Sequence, residues 1–66
     1  KNLNRIKVIL AEKDLTQVWL ANQLGRDIRT VNMWCTNKRQ PSIEHLYSIS
    51  VVLDVDIREL LNSTKQ

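Results

Sequence analysis

The sequence contains few of the residues that mark disordered, disulfide-stabilised or membrane-spanning chains. Its 66 residues include 1 glycine, 1 proline and 1 cysteine. This composition excludes a low-complexity chain, and the single Cys35 excludes an intramolecular disulfide. No apolar run approaches the roughly 20 residues that a membrane-spanning helix needs, and no signal-peptide pattern opens the chain. We therefore expect a folded protein of the reducing cytoplasm that does not enter a membrane.

Length and charge set further limits. A chain of 66 residues buries a small core, so we predict one domain over residues 1–66 that depends on well-packed helices. The formal net charge of +3 is weak evidence of a polyanionic partner. Arg26, Arg29, Lys38 and Arg39 surround the middle of the chain, whereas acidic residues lie towards its end. This asymmetry indicates one basic face, although in an arbitrary small protein such residues more often form a plain solvated surface.

Nothing in the sequence supports a catalytic or metal centre. One cysteine and one histidine do not supply the set of about four ligands that a zinc site typically needs. The chain has no glycine-rich phosphate loop, no His-Glu-x-x-His pattern and no nucleophile beside a base. Cys35 is better interpreted as a small buried hydrophobe. We predict that the protein is not an enzyme, has no metal or other cofactor and takes no small-molecule substrate.

Hydrophobic spacing and capping residues predict an all-α fold of five helices. The helices are expected from about Leu3 to Lys13, Gln17 to Leu24, Ile28 to about Cys35, Ile43 to about Leu53, and Ile57 to about Asn62. The expected N-caps are Thr16, Asp27 and Ser42, with Asp56 and Glu59 as a capping box. Gly25 is expected to end the second helix in a left-handed conformation.

The same spacing predicts which side chains form the core. The apolar positions expected inside are Leu3, Ile6, Ile9, Leu10, Leu20, Ala21, Leu24, Val31, Trp34, Ile43, Leu46, Ile49, Leu53, Leu60 and Leu61. Tyr47 is expected to cover this core. Trp19 has three interpretations, packing, contact with a DNA backbone or contact with a protein, and packing is favoured.

The stretch from Gln17 to Trp34 carries the functional signal. Two short helices can cross at a steep angle if Ala21 lets their backbones approach, Gly25 makes the turn, and Val31 and Trp34 fill the angle. The N-terminal part of the second helix then protrudes, and a protruding helix fits the major groove of B-DNA.

These positions, together with 37–42 and 56–61, resemble the Cro/repressor-type (XRE) helix-turn-helix family over nearly the whole chain. The resemblance implies a compact five-helix, lambda-repressor-like domain from a small bacterial or phage transcriptional regulator. Its helix-turn-helix proper would be residues 17–36, and helix 28–35 would read double-stranded DNA sequence-specifically. A repressor is the favoured role, and a homodimer on a palindromic operator is the arrangement known for dimeric relatives.

Position by position, the resemblance implies two sets of DNA contacts. The base-reading set is Ile28, Arg29, Asn32 and Met33. The set for the DNA backbone is Thr16, Gln17, Arg26, Thr30, Thr36, Asn37, Lys38 and Arg39. Arg29 is the strongest candidate for a base contact, because a guanidinium can bond O6 and N7 of guanine together.

Three departures from the family pattern affect this expectation. Asn37 replaces a usual glycine, and asparagine tolerates the left-handed conformation. Cys35 and Leu10 replace a frequent Glu and Arg pair, so apolar contact is expected there. Ile28 and Met33 replace polar residues, which leaves the target sequence unpredictable.

A second hypothesis belongs to a different class of function. An antitoxin or adaptor can keep this fold and use its surface as a protein-interaction module. Trp19 and the final helix would then be the contact.

Overall fold

The computed structural model describes residues 1–65 as four α-helices followed by one 3-10 turn. The helices are α1 (Ile6–Glu12), α2 (Gln17–Leu24), α3 (Ile28–Cys35) and α4 (Ile43–Leu53), and the 3-10 turn is Ile57–Leu60. The all-helical prediction is therefore confirmed in part, because the expected fifth helix is this shorter turn.

Side-chain caps set most of the helix ends where the sequence predicts them. The Thr16 hydroxyl accepts from the Trp19 N–H at 3.0 Å, and the Ser42 hydroxyl accepts from the His45 N–H at 3.1 Å. The Asp27 carboxylate caps α3. Each cap satisfies an N–H that has no carbonyl partner inside its helix. Asp56 and Glu59 form the expected capping box at the 3-10 turn.

The expected start of α1 at Leu3 is wrong, because Asn4 redirects the chain. The Asn4 Oδ1 accepts from the Ile6 N–H at 3.1 Å, and α1 begins at Ile6. The N–H groups of Leu3 and Asn4 both donate to Asn37 Oδ1, at 2.9 Å each, instead of entering a helix. As a result Leu3 is 45% exposed and is not part of the core.

The two ends of the described chain lie side by side. Asn4 and Leu61 form an isolated antiparallel bridge, and the Asn62 N–H donates to the Leu3 carbonyl at 2.9 Å. The Asn62 side chain donates to the Asn2 carbonyl at 2.6 Å. Leu61 takes an extended conformation to make this bridge, which is why the last helix stops at Leu60.

One core joins all five elements. Its buried members are Ile6, Ile9, Leu10, Leu20, Ala21, Val31, Trp34, Cys35, Leu46, Ile49, Leu53 and Leu60. Leu24 and Trp19 pack against this core while remaining partly buried, which confirms the packing interpretation of Trp19. Leu10 and Cys35 are both buried in it, as expected from their apolar replacement of an ion pair.

Three further residues expected in or over the core are exposed instead. Ile43 and Tyr47, one turn apart on α4, are 68% and 65% exposed. They lie on the side of α4 away from the buried Leu46 and Ile49, and Val51 continues their strip at the same spacing. Leu61 is 43% exposed because the extended bridge turns it away from Leu60.

None of the helices described above has both the length and the continuous apolar surface that a membrane span requires.

Candidate nucleic-acid interface

The turn between α2 and α3 depends on Gly25. This residue has a φ of 64°, in the left-handed region. Its N–H donates to the Asn22 carbonyl at 3.3 Å, and the next N–H, of Arg26, donates to the Ala21 carbonyl at 3.0 Å. A Cβ here would meet no atom within 4 Å, so the backbone conformation alone favours glycine. Ala21, which was expected to let the two helices approach, and Val31 and Trp34, which were expected to fill the angle between them, are all buried.

The outer side of α3 is open. The helix buries Val31, Trp34 and Cys35 and leaves the opposite side uncovered. The four residues predicted to read bases lie there: Ile28, Arg29 and Asn32 are exposed, and Met33 is half-buried. Their spacing of three and four residues places them next to one another on the helix surface. The structure therefore brings this predicted set together on one accessible surface, the outer side of α3.

Gln17 connects α2 to this surface. The Asn32 Nδ2 donates to the Gln17 Oε1 at 3.0 Å. A residue predicted to contact the DNA backbone and a residue predicted to read bases are thus in direct contact. The bond fixes the first turn of α2 against the middle of α3.

Arg29 lies against the carboxylate that caps its own helix. Its Nε donates to Asp27 Oδ1 and its Nη2 to Asp27 Oδ2, both at 3.2 Å, while its backbone N–H donates to Asp27 Oδ1 at 2.7 Å. The hydrogen bonds from Arg29 hold the pKa of the Asp27 carboxyl below its usual value, and the carboxylate raises the pKa of Arg29. The Arg29 side chain is 86% exposed, so solvent and ligands reach it freely.

The loop between α3 and α4, residues 36–42, is held in place by Asn37. Its φ of 59° confirms the expected left-handed conformation. Its Oδ1 also accepts from Gln40 Nε2 at 3.0 Å, and its Nδ2 donates to the Asn4 carbonyl at 3.2 Å. The side chain is therefore occupied within the protein, whereas Lys38 and Arg39 extend into solvent. The backbone N–H groups at positions 36–39 already donate to carbonyls of α3, so the phosphate contacts predicted for this loop would come from the two cations.

Asn4 is the residue that sequence reasoning missed. It is 4% exposed, and its Nδ2 donates to the Trp34 carbonyl at 2.9 Å and to Gln40 Oε1 at 2.8 Å. One buried amide thereby joins the N-terminal segment, the end of α3 and the loop. An isolated asparagine ahead of a helix has no spacing signal, and only its distant partners reveal its role.

Arg26 contacts α4 and not the outer side of α3. Its Nη2 hydrogen-bonds to His45 Nε2. The other ring nitrogen of His45, Nδ1, lies 2.9 Å from Ser42 Oγ. The same ring packs on Trp34 with centroids 5.1 Å apart. The sequence did not indicate this partner for Arg26.

The three threonines predicted to contact the DNA backbone occupy different environments. Thr16 is exposed and uses its hydroxyl as the α2 cap. Thr36 is exposed at the end of α3 and donates to the Asn32 carbonyl at 2.9 Å. Thr30 is half-buried. Thr16 and Thr36 thus lie at the start of α2 and at the end of α3.

Cys35 is almost fully buried and is therefore inaccessible to reagents in solvent. It is 4% exposed, and burial raises the pKa of its thiol to about 11. A protonated, covered thiol is a poor nucleophile and a poor metal ligand. Among residues 1–65, no cluster of three His, Cys, Asp or Glu side chains is placed to hold a metal ion.

A pair of short helices joined by a glycine turn, with the outer side of the second helix uncovered, defines the helix-turn-helix class of proteins. The sequence model of the helix-turn-helix family matches residues 6–60, and the chain belongs to this family, of the Cro/repressor (XRE) type.

Solved structures agree with this assignment. A crystal structure from Bacteroides fragilis, of a candidate DNA-binding protein, matches with a TM-score of 0.89 and 52% identity, over 91% of this chain and 97% of that one. The crystal structure of a transcriptional regulator from Listeria innocua matches with a TM-score of 0.73 and 22% identity. The second match covers 97% of this chain and 64% of that one, and it shows a shared fold. No curated protein matches the sequence.

Proposed function

We propose that this protein is a transcriptional regulator that binds double-stranded DNA sequence-specifically, with α3 in the major groove. The observation that carries the proposal is the uncovered outer side of α3, where Ile28, Arg29, Asn32 and Met33 lie together. Membership of the helix-turn-helix family and the similarity to the Bacteroides fragilis protein support it.

Each residue has a role that follows from its chemistry. Arg29 donates to guanine O6 and N7, Asn32 offers an amide to a base edge, and Ile28 or Met33 contacts a thymine methyl.

The contacts to DNA phosphates come from residues at and near the helix ends and from the loop after α3. Outside that loop, the contacting residues are Thr16, Gln17, Arg26, Thr30 and Thr36. In the loop, Lys38 and Arg39 supply charge while Asn37 holds the backbone in place.

Repression is the regulatory role that we favour, by exclusion of polymerase from a promoter. A homodimer would place two copies of α3 about 34 Å apart on a palindromic site, one helical turn of DNA. The proposal involves no cofactor and no small-molecule substrate.

Selection from a random pool of duplexes, followed by sequencing, tests the proposal and yields the operator. Fluorescence anisotropy on the selected duplex should then show that Arg29→Ala relaxes the preference at one base pair, with a loss of about 1–3 kcal/mol of discrimination. Arg58→Ala is the matched control, since Arg58 is 87% exposed and also pairs with an aspartate two residues before it. Equal binding of the unmodified protein to every duplex contradicts sequence-specific reading.

A protein-interaction role is the second candidate. The observation that favours it is the exposed apolar strip of Ile43, Tyr47 and Val51 on α4. Trp19, which with the final helix was the contact suggested for this second function, is partly buried against the core and contributes less. A stable complex with the product of a neighbouring gene, lost in Tyr47→Ser but kept in Arg29→Ala, would favour this second function.

A further inference from the structure

The pairing of Asp27 with Arg29 leaves one edge of the guanidinium free. A guanidinium carries five N–H donors in a rigid plane. The carboxylate takes Nε and one hydrogen of Nη2, at 3.2 Å each, which together form one side of the plane. The end of the plane, formed by Nη1 and the second hydrogen of Nη2, is still available. Its two parallel donors have the spacing that bidentate acceptors require.

We propose that Asp27 is a positioning residue that aims Arg29 at guanine and so sets specificity at one base pair of the operator. The inference rests on the proposed function. An arginine held along its side presents two parallel donors, which match O6 and N7 of guanine. A free arginine at the same place can turn to a phosphate, a contact that carries no sequence information.

The charge of Asp27 adds discrimination against wrong sequences. Its side chain is 50% exposed at the start of the helix that would enter the groove. If Arg29 leaves it for a phosphate, the carboxylate faces a polyanion without a partner, which disfavours that mode of binding. Asp27 is therefore expected to lower the affinity for unrelated DNA while it raises the preference for guanine.

The chain contains a matched copy of this arrangement. Asp56 caps the 3-10 turn, and Arg58 donates to it from Nε at 3.1 Å and from Nη2 at 3.3 Å. Its backbone N–H also bonds to the same carboxylate, at 2.8 Å. The two pairs share residue types, spacing and capping role, but the second lies outside α3. A substitution in the second pair reproduces the local loss without touching the outer side of α3.

The test is Asp27→Asn, because asparagine caps a helix as well as aspartate does but cannot accept from both Nε and Nη2. Anisotropy on four duplexes that differ only at the base pair sensed by Arg29→Ala gives the preference. We expect the preference for guanine to fall on the order of 10-fold and the affinity for an unrelated duplex to rise. Asp56→Asn should change neither, and Asp27→Asn should have no further effect on the preference in an Arg29→Ala background.

The outcomes separate this inference from the proposed function. If Arg29→Ala keeps full discrimination at every base pair, Arg29 does not read DNA and both fail. If Arg29→Ala loses discrimination but Asp27→Asn keeps it, the inference alone is overturned. An equal loss in Asp56→Asn would assign the effect to capping and would also overturn it. Circular dichroism checks folding, and Asp27→Ser, a second capping variant, serves if the asparagine variant is unfolded.

Discussion

Asn37 combines two properties that are usually supplied by different residues. Its backbone occupies the left-handed region, where glycine is favoured, and its side chain bonds to Asn4 in the N-terminal segment and to Gln40 in the same loop. A glycine at this position would remove the backbone strain but would also lose the side-chain hydrogen bonds. The stability of a glycine variant therefore shows which of the two effects is larger.

We expect Asn37→Gly to lower the free energy of unfolding by about 1–3 kcal/mol, because the N–H groups of Leu3 and Asn4, the second of them part-buried, lose Asn37 Oδ1 as their acceptor. Urea denaturation followed by circular dichroism measures this change. Asp14→Gly is the control, since Asp14 also has a positive φ, of 60°, and is exposed. That control should be neutral or stabilising by about 1 kcal/mol. A gain of stability in Asn37→Gly would show that the bonds contribute less than the backbone strain.

The side chains on the outer side of α3 were predictable from the sequence, but the partner of Arg26 was not. Periodicity alone separates Val31 and Trp34 from Arg29 and Asn32. The contact of Arg26 with His45 joins residues 19 positions apart on different elements. No local pattern encodes such a pair, because it depends on how α4 packs beside the turn.

At the scale of elements, the turn after α2 requires glycine because of its backbone conformation, and not because a side chain would lack room there. We expect Gly25→Ala to lower the free energy of unfolding by about 1–2 kcal/mol, because alanine is strained at a φ of 64°. Since a Cβ meets no neighbour, the helices should keep their positions and DNA affinity should not change at temperatures where the variant is folded. Thermal denaturation and anisotropy measure the two quantities. Asn22→Ala, exposed on the same helix, should not destabilise.

The 3-10 turn should be sensitive to acid. The hydrogen bonds from Arg58 lower the pKa of Asp56 below its ordinary 3.8. A carboxyl whose pKa is lower in the folded state stabilises the fold above its unfolded pKa and loses that contribution as pH falls through its folded pKa. The difference in melting temperature between the unmodified protein and Asp56→Asn should therefore be constant near neutral pH and should shrink below pH 3.8. A difference that persists in strong acid would exclude the charged form as its source.

Elements with local signals were predicted well, and those with distant determinants were not. The ends of α2 and α3 agree with the sequence because each cap and its partner lie within three residues of each other. The start of α1 depends on Asn37, 33 residues from Asn4, and the last helix is shortened by the bridge between Leu61 and Asn4. Ile43 and Tyr47 fit the helical period of α4, but the period does not say which apolar strip faces the core.

At the scale of the whole molecule, the number of cations that contact phosphates should determine the salt dependence of DNA binding. We expect Lys38→Ala to weaken binding to all duplexes alike and to reduce the slope of log affinity against log salt by about 1. Anisotropy over a series of salt concentrations measures the slope. Lys65→Ala, near the chain end, should leave it unchanged. A loss confined to one base sequence would contradict a phosphate contact for Lys38.

The bridge between Asn4 and Leu61 brings the amino and carboxyl ends of the described chain to one place on the surface. A short glycine-serine connector should therefore close the chain into a ring, and the ring could be reopened at the exposed Asp14. Such a circular permutant should melt close to the original temperature. For the same reason, the domain could be inserted into a surface loop of a host protein to give that host a DNA-binding domain. Because the two ends are adjacent, the insertion would not move apart the host segments on either side of it.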